Sequence, residues 1–560
     1  MSTSSSSSSS PDISSSLSSS LSSLWSSMPF SSSLSGLKLQ GSSAPSAGTV
    51  LVWSGAAVAG YCLYEQLRFK WAKRCKDGKS LPGPDLPTPV LGGIVEMVKD
   101  PYGFWERQRT LSFPGLSWHS IVGVFTVFVT DAAISRHVFS HNSEDTLLMA
   151  LHPSAKNVLG PRNIAFLHGP DHKQLRKSFL ALFTRKALAV YVAKQDQVIC
   201  EHLRAWLEHQ GGSYESGGAF TEMRPFVQRL NAMTSQEVFV GPYLRSYGTE
   251  VRQKFSTAYR AMTDAFLALP VCLPGTAVWK GYKGRLYIIE VLTRAAKDSK
   301  EKMATGKHEP ACLLDFWSLQ VLAELKECKE KGQPPPFYAA DAKMADSIMD
   351  FLFASQDAST ASLVWTLTLM AEHPDILEKV RAEQRSMRPD LNAPITGELL
   401  NKMSYTRQVV KEILRYRPPA PMVPQMAQKP FKLTENYTAP KGAMIVPSCW
   451  SASMQGYENP HAFDPDRFGP ERQEDVKYAP NFLVFGHGPH YCVGKEYATN
   501  HLTLFLARTS TTLNWTRQRS KESDKTIYLP TLYPGDSVFS MQWAYPSASQ
   551  ANAEGVCKTL

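Results

Sequence analysis

From about residue 90 onward, apolar positions recur every three to four residues, the spacing of helices with one face on a core. The clearest stretches are 342–371, 373–388, 399–416 and 494–513, each predicted as a helix. Residues 121–130 (IVGVFTVFVT) follow another rhythm: β-branched and aromatic, with one glycine inside, they predict a hairpin. Short strands are expected at 431–433 and 444–446, and the KGQPPP run at 331–336 breaks the helical pattern as a loop. The sum is a mainly α fold with a small β portion and no visible internal repeat.

The first 89 residues do not share this patterning. Serine fills 25 of the first 50 positions, and residues 1–43 are too polar and too uncharged to order themselves. A transit peptide would be Ser-rich and acid-poor, but also Arg-rich; this tract has no Arg and a single Lys, Lys38. Residues 44–64 (APSAGTVLVWSGAAVAGYCLY) carry no charge and are predicted as a transmembrane anchor. A cleaved signal would be shorter and nearer the start. Residues 65–89 form a basic flank, from Arg68 to Lys79, followed by a Pro-rich hinge. Basic residues after a span keep that side cytoplasmic, and beside an apolar helix their partner is anionic lipid, not nucleic acid. Residues 90–560 are left as one large catalytic domain.

Composition narrows the class. The chain is 43% hydrophobic with 12 Trp, 26 Phe and 21 Tyr, enough for a large core. Net charge is +10, and the nine cysteines include no CxxC pair. That excludes a zinc ribbon or a disulfide framework and fits a reducing compartment.

The chemistry concentrates at FGHGPHYCVG, residues 485–494. Phe485 opens the run. Gly486 and Gly488 permit a tight loop close to a flat ligand, and Gly494 lets the next helix start beside it. Cys492 stands at that helix start, where free N–H groups favour a thiolate. A thiolate is the ligand a haem iron needs for O–O cleavage; His490 can reach a haem propionate. A lone Cys is more often a small buried hydrophobe, and His487, His490 and Cys492 lack the second pair that structural zinc requires.

This decapeptide resembles the haem-ligand loop of the cytochrome P-450 superfamily, and three further segments resemble it too. Glu412 and Arg415 match its ExxR helix, and Arg467 in FDPDRF its downstream arginine; the resemblance implies a structural Glu412–Arg415–Arg467 network. FLFASQDAST (351–360) is similar to the oxygen-activating helix. There Asp357 fills the acid position and Ala358 stands where Thr is usual, so Ser359, Thr360 or ordered water would supply the hydroxyl. GPDHKQLR (169–176) places His172 where Trp is usual, four residues before Arg176, so both can face one haem carboxylate.

The departures resemble one branch, the sterol C-22 desaturases of fungi, algae and plants, over about residues 80–545. The resemblance implies a single P-450-fold haem domain with haem b on Cys492. It implies O2 and NADPH-derived electrons used to introduce a C22–C23 double bond into a sterol side chain. Walls of the sterol pocket are expected in 147–152, 351–355, 421–426 and 529–533, among them Leu148, Phe353, Ala354, Met422, Val423 and Leu532. The expected partner is a membrane-bound NADPH–cytochrome P-450 reductase, steered by Arg176, Lys173, Lys177 and Lys495. A monomer on the endoplasmic reticulum membrane, single-pass, with its catalytic domain cytoplasmic, completes the expectation. The alternatives are a lipid hydroxylase of the same superfamily, a haem-thiolate isomerase, and a non-catalytic haem- or sterol-binding membrane protein.

Overall fold

The structure, a computed structural model, describes residues 47–111, 115–151, 153–209, 221–528, 531–536 and 538–540. The Ser-rich head at 1–43, His152, the first two residues of the expected 529–533 wall and the tail from 541 lie outside them. The chain divides into two units, Met1–Tyr64 and Glu65–Leu560. Helix α1 (Ala47–Ala72) covers the expected anchor and leaves Leu51, Val52 and Trp53 exposed. Among the described residues, however, no helix is long and apolar enough to cross a membrane. The helix predicted there forms, but a single membrane span is not supported. Gly and Ala dilute its hydrophobicity, and charge enters at Glu65 and Arg68.

The second unit is mainly helical: α2 (Ala132–Ser140), α3 (Gly169–Leu180), α4 (Arg185–His209), α5 (Arg224–Phe239), α6 (Thr249–Asp264), α7 (Ala277–Ala304), α8 (Leu313–Lys331), α9 (Asp341–Glu372), α10 (Pro374–Met387), α11 (Ser404–Tyr416) and α12 (Lys495–Thr512). Helix α9 packs against α5, α7 and α12. Its apolar run from Leu363 to Met370 is buried all round, as a helix at the centre of a large core must be. A five-stranded sheet flanks the helices. Its strands are β1 (Leu116–Ile121), β2 (Val124–Val129), β3 (Leu147–Met149), β4 (Gln425–Ala427) and β5 (Met444–Pro447), in the order β1-β2-β5-β4-β3. Strands β6 (Thr526–Tyr528) and β7 (Leu532–Pro534) pair near the C-terminus.

The local rules explain most boundaries. The β1–β2 hairpin turns at Val122 and Gly123, both at positive φ (49° and 70°), the two-residue turn whose twist matches the strands. Residues 121–130 thus held the turn and the second strand. The first strand was hidden because Ser117 and His119 interrupt its apolar pattern, yet both are buried; Ser117 Oγ donates to Gln108 O at 3.1 Å. The single helix expected at 399–416 is two, Gly397–Lys402 and α11, broken at Met403. The Glu383 carboxylate of α10 accepts from Tyr405 N–H (2.6 Å) and Thr406 N–H (2.9 Å), satisfying the donors of the new helix start. Helix α8 ends where KGQPPP begins, on Gly332 in the left-handed region. The basic flank and Pro-rich hinge at 65–89 pack onto the sheet. Phe69 lies 5.8 Å from the Trp118 ring, and Trp118 N–H donates to Pro82 O.

Candidate active site

The Cys492 loop is built as its glycines suggest. Gly486 and Gly488 are both left-handed, at φ 76° and 72°. A Cβ on Gly488 would stand 2.5 Å from Phe139 O at the end of α2, so only glycine fits there. Cys492 N–H donates to Phe485 O at 2.9 Å, closing the loop, and Gly494 is the N-cap of α12. Burial, the largest influence, pushes the Cys492 thiol up; the Gly494 N–H and the charges of Arg176 and Lys495 pull it down. The thiolate-favouring groups are therefore in place, and a cation on the sulfur would tip the balance.

The sulfur opens onto a cavity of ≈ 320 Å³. Helix α9 lines it with Phe351, Ala354, Ser355, Ala358, Ser359 and Ser362, one face at i, i+3, i+4, i+7, i+8 and i+11. Two groups of lining residues differ in character. Phe183, Phe239, Phe351 and Tyr497 form an aromatic cluster with ring centroids 5.0–6.0 Å apart. His490 instead belongs to a polar group: it stacks on His172 with centroids 4.1 Å apart, and His168 stands 5.3 Å from it. Burial pushes His172 down to about 4 and His490 to about 3, so both are neutral donors at pH 7. His172 Nε2 has no protein partner although its atom is buried. Arg176, on the same face of α3, is half-buried with no ion pair among the described residues. Asn142 and Gln425 also line the cavity, joined by a 2.9 Å hydrogen bond from Asn142 Nδ2. Gln425 Nε2 and Asn142 Oδ1 remain unpartnered.

These residues fit a haem. Small side chains of α9 leave room for a flat ring, Cys492 would supply an iron ligand, and the buried Gln425 Nε2 and His172 Nε2 are left without protein partners. Phe485, Gly486, Gly494, His490 and Cys492 line the cavity as expected. His172 and Arg176, expected with them, are not part of the lining; His172 backs His490 from behind.

Of the expected proton-relay residues, Ser359 alone faces the cavity. Asp357 lies off that face. Its carboxyl is raised by burial, with Arg224 acting against the rise, and its backbone oxygen accepts from Tyr533 Oη at 3.4 Å. Thr360 points away from the cavity: its hydroxyl donates to Gln356 O (2.7 Å) and accepts from Asn231 Nδ2 (3.0 Å). Of the expected substrate walls, Ala354 and Val423 line the cavity. Leu148 does not, because strand alternation turns its neighbour Met149 inward instead. Phe353 stacks on Phe266, Met422 packs with Phe104 and Phe128, and Leu532 pairs with Tyr528 in β6–β7. Gln425, inside the expected 421–426 wall, lines the cavity too, while Asn142, Phe183, Phe239 and Cys449 line it unforeseen. They arrive from distant segments, and buried amides carry no periodic signal.

The structural network closes as expected. Arg415 Nε and Nη2 each donate to Glu412 at 2.7 Å, and Arg467 Nε donates to the same carboxylate at 3.1 Å. All three side chains are fully buried. Burial raises Glu412, while both guanidinia oppose it. Arg467 also donates to Glu474 at 3.0 Å.

Residues 82–532 match the family model described as Cytochrome P450. "Cytochrome P450 710A2" of Arabidopsis thaliana is 41% identical over 479 residues, 85% of this chain and 93% of that one. "C-22 sterol desaturase erg5" of Aspergillus fumigatus is 34% identical over 489 residues, 84% of this chain and 90% of that one. The solved structure "Retinoic acid bound cyanobacterial CYP120A1" superposes with a TM-score of 0.67 at 24% identity, covering 83% of this chain and all of that one; it supports the fold.

Proposed function

Because the chain belongs to the cytochrome P450 family, with the haem on a cysteine thiolate and the reductase partner that this family implies, we propose that it is a sterol side-chain desaturase. It removes one hydrogen each from C22 and C23 and leaves a double bond. The substrate CH2–CH2 gives two hydrogens, NADPH with a proton gives two electrons and two protons, and O2 leaves as two waters. The observation that supports this best is the likeness to relatives named C-22 sterol desaturases, 34% and 32% identical over most of both chains. A cavity walled by aromatic and aliphatic side chains suits a rigid apolar substrate.

Bound haem supplies the oxygen activation and the hydrogen abstraction. The chain's own groups do the rest. Cys492 would hold the iron, and His490 and Arg176, backed by His172, would hold the carboxylates. Ser359 Oγ, on the cavity face of α9, hands protons to the reacting centre. Asp357, two residues before it on α9, off the cavity face and raised by burial, is the proton source that feeds it. Ala354 and Val423 press the substrate side chain toward the iron and exclude water. Electrons enter from an NADPH–cytochrome P450 reductase on the face of Lys173 and Lys177, both exposed on α3. The enzyme acts as a monomer on the cytoplasmic side of the endoplasmic reticulum membrane, held by the exposed apolar side chains of α1 and the basic flank.

The test is to supply membranes containing this protein, reductase and NADPH with candidate sterols and read the products by mass spectrometry. A C22 alkene is expected. A C22 alcohol as the end product would make it a hydroxylase, and no sterol product at all would overturn the substrate class.

A further inference from the structure

We propose that Asn231 is a positioning residue for proton delivery. From a neighbouring helix it fixes which hydroxyl of α9 serves the cavity. The inference rests on the role given above to Ser359, not on the identity of the sterol.

Residues 355–362 carry four hydroxyls, at Ser355, Ser359, Thr360 and Ser362, and no hydroxyl at Ala358 in the middle of the cavity face. At 100° per residue, adjacent Ser359 and Thr360 cannot both face the ligand. A small rotation of this turn would exchange them. Asn231, on α5 and with 0% exposure, holds the rotation. Its Nδ2 stands 3.0 Å from Ser355 O, 2.7 Å from Gln356 O and 3.0 Å from Thr360 Oγ1. Thr360 Oγ1 donates in turn to Gln356 O at 2.7 Å. Its hydroxyl is thus engaged both as donor and as acceptor on the far face, and has nothing to offer the cavity.

Two further contacts pin the same turn to α5. Ser355 Oγ donates to Ser235 Oγ at 2.8 Å, one turn along from Asn231, and Gln356 Nε2 donates to Gln228 O at 3.3 Å. Ser359 is left as the hydroxyl that lines the cavity with no hydrogen bond of its own among the described residues. The carbonyls that Asn231 contacts are those that Ser359 N–H and Thr360 N–H would take in a regular helix. Each carbonyl has a second lone pair, so Asn231 adds to the unbroken ladder and clamps that turn. Asn231 Oδ1, by contrast, has no protein partner. Burying an amide with its acceptor unused is costly, and packing alone would favour an apolar residue. The donor half is what this position uses.

The test uses the holoenzyme with reductase and NADPH. It reads the fraction of consumed O2 released as hydrogen peroxide and the solvent deuterium isotope effect on O2 consumption. Neither needs a sterol product, so failure of the desaturase assignment leaves this test standing. N231L is expected to raise the peroxide fraction and the isotope effect several-fold. S359A is expected to do the same, and N231L/S359A to be no worse than S359A, because both act through one hydroxyl. Amide exchange at 355–362 should rise in N231L while the reduced carbon monoxide spectrum stays that of a thiolate haem. T360V removes one acceptor of Asn231 but leaves its two carbonyl contacts, and should keep the wild-type peroxide fraction. An unchanged peroxide fraction in N231L, or additive effects in the double variant, overturns the proposal. If N231L does not retain haem, T360V decides alone: a peroxide fraction at the S359A level overturns it.

Discussion

His501 sits on α12, the helix that Cys492 introduces, with 0% exposure and no protein partner for either ring nitrogen. Burial alone pushes it down to about 3, against about 6.5 in an unfolded chain. The folded state therefore keeps the ring neutral while the unfolded state takes up a proton first. Stability from this group is complete above about pH 6.5 and is lost as pH falls toward 3. Between pH 7 and pH 4 the loss is about 3 kcal/mol, a large share of the ~5–15 kcal/mol that holds a typical protein folded. H501L removes the titration. It also removes two unsatisfied polar atoms, a cost of about 1–3 kcal/mol when such a group is buried. The variant is expected to be as stable as the wild type or more so at pH 7, and to lose about 3 kcal/mol less on acidification. Urea denaturation followed by circular dichroism from pH 7.5 to pH 4 measures both. Parallel pH curves for the two proteins would refute the reasoning.

C492S should express as a folded protein without the red-shifted Soret band of a thiolate-ligated carbon monoxide complex; retention of that band would remove Cys492 as ligand. E412Q leaves two buried guanidinia short of a carboxylate, a defect that costs about 3–5 kcal/mol. It should give protein that loses haem and unfolds at lower urea, read by absorbance and denaturation midpoint. R176M should speed haem transfer to a competing apo-globin several-fold at pH 7, since the remaining donors at His172 and His490 are neutral. An unchanged transfer rate would show that the carboxylates are held elsewhere.

How much of this was legible in the sequence depended on the kind of signal. The Cys492 loop, the Glu412–Arg415–Arg467 network and the long helices are local patterns, and each stands where its residues placed it. The sheet was less visible. Strand β1 buries Ser117 and His119 by pairing them with β2 and with Gln108, and no alternation announces that. The phase of α9 was legible in part. Periodicity could put Ala354 and Ser359 on one face, but Thr360 was excluded by Asn231, which lies more than a hundred residues earlier. The expected substrate wall at Leu148 missed by one position, because one step along a strand reverses the face; Met422 missed although its neighbour Val423 lines the cavity as expected. Gln425 stood in the expected 421–426 wall, but its partner Asn142 was beyond reach, because the two meet across 283 residues.

The fully buried carboxylate at Glu412 also bears on how the chain is made. Arg415 is one helical turn away from it, but Arg467 reaches it only after 55 more residues have been added. A nascent chain that has passed Arg415 holds the carboxylate with one of its two arginines and cannot yet bury either. Burial must wait for the segment ending near Glu474, which supplies the counter-charge for Arg467. The network around Glu412 therefore closes only once Glu474, shortly before Cys492 in the chain, has been made. Closure of the network is thereby tied to the last fifth of synthesis, and a messenger truncated before codon 467 would leave Glu412 with Arg415 alone even with every upstream helix intact.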